Sequence, residues 1–264
     1  MKKNIAEAIN VLGAFCGKRD VPFLTKEELQ QNYHIKQADV MVLFGGSILC
    51  GGDVLAEAIK NQIAKHYLIV GGEGHTTQAL RDLVHSEYPQ IQTEGLAEAR
   101  VFEAYLQEKY ALKVDYLECN STNCGNNITY MLEVLKEHQI QYSSIILMQD
   151  ATMQRRMEAG LRKHLQSKDV EIINYASYQA NVVVEDDALV FENRIYGMWD
   201  MERYISLLMG EIPRLSDDEN GYGPKGKGFI AHVDIPPEVE HAFTCLKKEY
   251  ESYIRKANDA YASK

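Results

Sequence analysis

A chain of 264 residues, 45% apolar and 25% charged, can bury a sizeable core, which excludes wholesale disorder. Its net charge of −10 argues against a broad nucleic-acid-binding face. No run approaches the roughly 20 apolar residues that span a bilayer. The opening Met1-Lys2-Lys3-Asn4-Ile5-Ala6-Glu7 lacks the apolar stretch of a secretory signal, and the five cysteines are odd in number and scattered, so a reduced, cytoplasmic protein is expected.

Ile5, Ala8, Ile9, Leu12 and Phe15 recur at helical spacing over residues 4–16, and Thr25-Lys26-Glu27-Glu28 reads as a capping box opening a second, short helix. The continuous apolar run Val40 to Phe44, ending in Gly45-Gly46, has the composition of a strand buried on both faces. That unit recurs. Residues 54–64 are helical in period, and Tyr67-Leu68-Ile69-Val70 ends in Gly71-Gly72. Helices are expected over 77–86 and 94–110, then a strand over 114–117 and a helix from the following polar stretch to about Glu137. Ser144 to Met148 is a fourth strand, a helix follows from about Ala151 to Leu165, and Val170 to Asn174 is a fifth strand. Apolar runs alternating with helices predict a parallel sheet of about five strands with helices on both faces.

The rhythm breaks near residue 180. A helix is expected over 201–209, then Pro213 and a charged loop in which Asp217-Asp218-Glu219 reads as solvated. After the apolar run Phe229 to Val233, Pro236-Pro237 starts a C-terminal helix. The expected division is 1–185 for the α/β part, with N-terminal helices in 1–37, and 186–264 for a smaller, mainly helical part packed on it.

In open α/β sheets ligands bind beyond the carboxyl ends of the strands. Four strand ends therefore define the candidate site: Gly45-Gly46-Ser47, Gly71-Gly72-Glu73-Gly74-His75, Glu118 to Asn127, and Gln149-Asp150 with Arg155 and Arg156 a turn later. The third is the most informative. One Ser, Thr or Asn suffices to cap a helix, yet Asn120, Ser121, Thr122, Asn123, Asn126 and Asn127 gather beside a helix N-terminus, a pattern suited to a polar or anionic ligand. Asp150 is a candidate for capping, for ribose hydroxyls or for a base; Arg155 or Arg156 for clamping a carboxylate or phosphate. Glu98, read as mid-helix, is ordinarily solvated and is a second acid–base candidate. His75 reads as a turn residue.

Several familiar sites are absent by spacing. Gly45 to Gly51 lacks the G-x-G-x-x-G pattern, which disfavours a standard NAD site. Gly221-Tyr222-Gly223-Pro224-Lys225-Gly226-Lys227-Gly228 has phosphate-loop spacing, but Gly228 replaces the Ser or Thr that holds Mg²⁺, and no strand precedes it. A solvated loop or a basic flap over the cleft remain as its readings. Cys119 and Cys124 with His75 or His138 fit no zinc spacing, so no metal is expected. Ser121 has no G-x-S-x-G elbow.

These segments resemble the bacterial YdcF-like proteins of the wider ElyC/SanA/YdcF family. The resemblance runs through Val40–Gly46, Ile69–Gly72, Glu98, Glu118–Asn127 and Met148–Arg156, mainly over residues 38–175, and extends to Trp199–Tyr222 and Gly221-Tyr222-Gly223-Pro224. Cys124 stands where the wider family has Thr, Asn126 where it has Glu, and Met153 where it usually has His. The resemblance implies a Rossmann-like core and binding of an adenosine-containing ligand, foremost S-adenosylmethionine, by Gly45, Gly46, Ser47, Gly71, Gly72, Asn120, Ser121, Asn123, Asn127, Asp150 and Arg155 or Arg156. Two other classes stand beside it: a hydrolase or transferase acting on a phosphorylated or glycosylated small molecule, with Glu98 and Asp150 as acid–base candidates, and a non-catalytic, partner-binding protein. No partner other than a small nucleotide-type ligand is indicated.

Overall fold

The computed structural model describes residues 2–46, 48–74, 76–166 and 168–254. The chain opens with α1 (Lys2–Cys16) and α2 (Lys26–Tyr33), the latter capped by Thr25, whose hydroxyl accepts the Glu28 N–H. Only half of the capping box forms, because the Glu28 carboxylate accepts from Asn32 instead. Then follow β1 (Ala38–Phe44), α3 (Cys50–Lys60), β2 (Ala64–Val70), α4 (Thr77–Glu87), α5 (Glu98–Tyr110), β3 (Tyr116–Glu118), α6 (Cys124–Glu137), β4 (Ser144–Met148), α7 (Gln154–Leu165) and β5 (Glu171–Asn174).

The five strands form one parallel sheet in the order β3-β2-β1-β4-β5, as the Rossmann-like α/β reading expects. Alternation along β1 serves both faces: Met41 and Leu43 pack with α3 and α5, whereas Val40, Val42 and Phe44 pack with α6 and α7. That two-sided burial explains why the strand reads as an unbroken apolar run.

Beyond β5 the structure departs from expectation in two places. Val182–Glu185 (β6) and Ala188–Phe191 (β7) form an antiparallel hairpin where no strand was expected. Its two-residue loop has Asp186 at φ 46° and Asp187 at φ 59°, the doubly positive pattern of a type I′ turn. The expected division after residue 185 falls in this turn. The next helix, α8 (Met201–Leu215), runs six residues past its expected end at Met209 and through Pro213. A proline inside a helix costs about 3 kcal/mol, but the extension buries Ile212 and Leu215, at about 1.5–3 kcal/mol each. Burial wins. The run Phe229 to Val233 is irregular and tied to α7 by Ala231 N–H donating to the Ala159 carbonyl at 2.9 Å.

The last long helix is α9 (Pro237–Tyr250). It joins α1, α8 and the hairpin in a separate apolar cluster containing Ile9, Leu12, Tyr204, Leu208 and Leu246. Among the described residues, no helix is long and apolar enough to cross a membrane.

Candidate functional site

The order of strands reverses between β1 and β4, since β1 leads to β2 on one side while β4 lies on the other. A cleft of about 450 Å³ opens there, within the ordinary size of a small-molecule site. One wall is made of strand ends. The other comes from the Trp199–Ile230 stretch, which includes α8.

Glu98 organises the first wall. It is the first residue of α5, not a mid-helix surface residue, and is 5% exposed. One carboxylate oxygen accepts the Gly46 N–H at 2.6 Å; the other accepts the hydroxyls of Thr76 and Thr77 at 3.0 and 2.9 Å. The turns after β1 and β2 are thereby fastened to one side chain. Burial pushes its pKa above the ordinary carboxylate value, against the pull of those three donors. Gly46 has φ +79°, a conformation that disfavours any side chain.

The segment after β3 is fastened in the same manner. One oxygen of Glu118 accepts the N–H groups of Asn120 and Ser121 at 2.5 and 3.0 Å, and the Ser121 hydroxyl accepts the Gly72 N–H at 3.1 Å. Asn123 caps α6 by accepting the Asn126 N–H at 2.9 Å, and Asn126 accepts in turn from the Asn123 amide at 2.7 Å and the Thr122 hydroxyl at 3.2 Å. Much of the polar surplus in this segment therefore builds the loop itself.

Beyond β4, Asp150 is completely buried. Its Oδ1 accepts the Thr152 N–H and hydroxyl at 2.9 and 2.6 Å and the Tyr178 hydroxyl at 2.9 Å; its Oδ2 accepts the Trp199 indole N–H at 3.0 Å. These contacts make it a positioning residue, with the protein's single tryptophan as the group it positions. Burial raises its pKa. Gln149 donates to the Gly45 carbonyl at 2.9 Å and so joins the ends of β4 and β1.

The two arginines separate as their helical positions require. Arg155 turns away from the cleft, donates to the Phe15 carbonyl and lies 4.1 Å over the Phe15 ring. Arg156 faces the cleft, but its guanidinium forks onto Glu211 at 2.5 and 2.9 Å.

Of the residues expected from sequence, Gly45, Gly46, Gly72, Ser121, Asn123 and Asn127 line the cleft, as do Glu98, Asp150 and Arg156. Gly71 instead packs its backbone against Gly45, and Asn120 and Arg155 are not among the lining residues. Ser47 and His75 lie outside the described residues. Sequence reasoning missed the second wall: Trp199, Arg203, Leu207, Arg214 and Phe229 all line it. The 221–228 loop contributes Tyr222 and Lys227. Its acidic flank is structural rather than merely solvated, since Asp217 accepts the Lys225 N–H at 2.7 Å and Asp218 accepts those of Asn220 and Gly221 at 2.8 and 2.9 Å.

Among the described residues, no group of three or more His, Cys, Asp or Glu side chains is placed to hold a metal ion. The five cysteines are free thiols. No protein-family model matches the chain.

Proposed function

We propose that this chain is a YdcF-like protein whose cleft binds a nucleotide-type ligand, S-adenosylmethionine foremost. The observation that carries the reading is the convergence of four strand ends on one cleft at the point where the sheet reverses order. The Gly46 and Gly72 N–H groups and the Asn123 amide are held within the protein, so the side chain of Asn127, beside the start of α6, is the polar contact for the sugar and amino-acid portions. Trp199, fixed by Asp150, offers a flat face for a base, a stacking contact worth about 1–3 kcal/mol. Asp150 acts through that tryptophan and not on ribose hydroxyls.

Calorimetric titration with S-adenosylmethionine, its demethylated product, ATP and NAD tests the reading, with Trp199 emission as a second signal. Heat and quenching with S-adenosylmethionine are expected. No response to any of the four overturns it.

A further inference from the structure

One face of α8 runs along the cleft. Arg203, Leu207, Glu211 and Arg214 all line it and follow at intervals of four, four and three, the spacing of neighbours on a helix surface. Arg156 neutralises Glu211 from the opposite side. The two α8 arginines have no such partner. Arg203 lies over the Trp199 ring, at 5.8 Å, and Arg214 donates to the Gly210 carbonyl of its own helix. Lys227, from the loop beyond α8, lines the same wall and is exposed. Among the described residues, no carboxylate pairs with any of the three.

The remaining charges of the cleft do not cancel them. Glu73 pairs with Arg81 at 3.1 Å. Glu98 and Asp150 are buried, each holding several neutral donors, and burial shifts both towards the uncharged form. In a chain with 38 acidic and 28 basic side chains, carboxylates are in surplus. Three cations without a carboxylate partner, spread along one wall with Arg203 and Arg214 about 16 Å apart along the α8 axis, thus form a local positive field inside an acidic protein.

We infer that Arg203, Arg214 and Lys227 form an anion subsite that receives the phosphate group of a phosphorylated small molecule. Arginine presents a fork of N–H donors that matches phosphate oxygens, and three cations suit a multiply charged group better than a single carboxylate. The inference rests on the cleft being a ligand site, not on that ligand being S-adenosylmethionine, which carries no phosphate. The phosphate belongs either to the nucleotide itself or to a co-substrate beside it.

The test titrates adenosine, ATP, S-adenosylmethionine and inorganic pyrophosphate into the wild-type chain and the Arg203→Gln/Arg214→Gln variant, at low and high salt. Pyrophosphate is expected to bind the wild type, to weaken with salt, and to lose at least about tenfold in affinity in the variant, the equivalent of one charge-assisted contact. Adenosine affinity should change far less than pyrophosphate affinity, since Arg203 meets the Trp199 platform only through its ring face. ATP binding more tightly than adenosine assigns the phosphate to the nucleotide; equal binding, with pyrophosphate still bound, assigns it to a co-substrate. Pyrophosphate failing to bind the wild type, or binding both proteins equally, overturns the subsite. Pyrophosphate binding alone, without adenosine or S-adenosylmethionine, overturns the nucleotide reading and leaves the subsite standing. Because Lys227 is exposed in a loop, Lys227→Gln repeats the test without burdening the fold and should weaken pyrophosphate about threefold.

Discussion

The two walls of the cleft use polar groups in opposite ways. On the sheet side Glu98, Glu118, Ser121 and Asp150 are buried and hold neighbouring backbone and side chains in place. On the α8 side Glu211 is held by Arg156, but among the described residues Arg203, Arg214 and Lys227 pair with no carboxylate. A buried donor left without an acceptor costs far more than an exposed charge without a partner. The sheet wall is therefore a preorganised scaffold, and the α8 wall carries the charge a ligand can meet.

Substitution should break that contrast in a definite order. Glu98→Ala removes the acceptor of the Gly46 N–H and of two hydroxyls, and should cost about 3–5 kcal/mol in urea unfolding together with the heat of ligand binding. Arg203→Gln should leave the unfolding midpoint where it is. Wild-type stability in Glu98→Ala would show that the sheet wall is no scaffold. Gly72→Ala comes next: an added Cβ would sit 2.3 Å from the Ser121 carbonyl oxygen and 2.8 Å from that of Cys119, both backbone atoms. A loss of about 3 kcal/mol is expected, read as a lowered thermal midpoint.

Asp150→Asn keeps the shape but replaces one acceptor oxygen by an N–H₂ group that faces donors, at about 1–3 kcal/mol. Its sharper readout is fluorescence. With one tryptophan in the chain, the emission maximum should shift as the indole loses its carboxylate partner; unchanged emission would refute the positioning role.

The smallest effect is a pH dependence. For Glu98 the folded-state pKa is raised by burial, so its contribution to stability is full below the unfolded carboxylate pKa and falls as pH rises through the folded value. Glu98→Gln lacks that decline. The stability difference, wild type minus variant, should therefore be largest at acidic pH and shrink upward from the ordinary carboxylate range. A difference that grows with pH would reverse the assignment.

Much of the sheet wall was legible in sequence because its signals are local. Apolar runs ending in glycine pairs mark β1 and β2, and Asn123 announces the start of α6. Glu98 was misread because a carboxylate in a helical pattern looks solvated; the groups that bury it come from turns after two other strands. The hairpin escaped notice because its strands have four residues each and Asp186-Asp187 is a weaker turn signal than Asn-Gly. The spacing of Arg203, Leu207, Glu211 and Arg214 is visible in the chain. That this face meets the cleft depends on how α8 docks, which local pattern does not encode.

The packing of α1 has a kinetic corollary. Its apolar face, including Ile9 and Leu12, is covered by partners on α8 and α9, around two hundred residues later in the chain. On the ribosome α1 emerges well before α8 and α9 and would be among the last elements to find its place, after the sheet has had time to assemble. Closing so long a loop is slow, and until it closes, the wall that bears Arg203 and Arg214 has no completed core behind it.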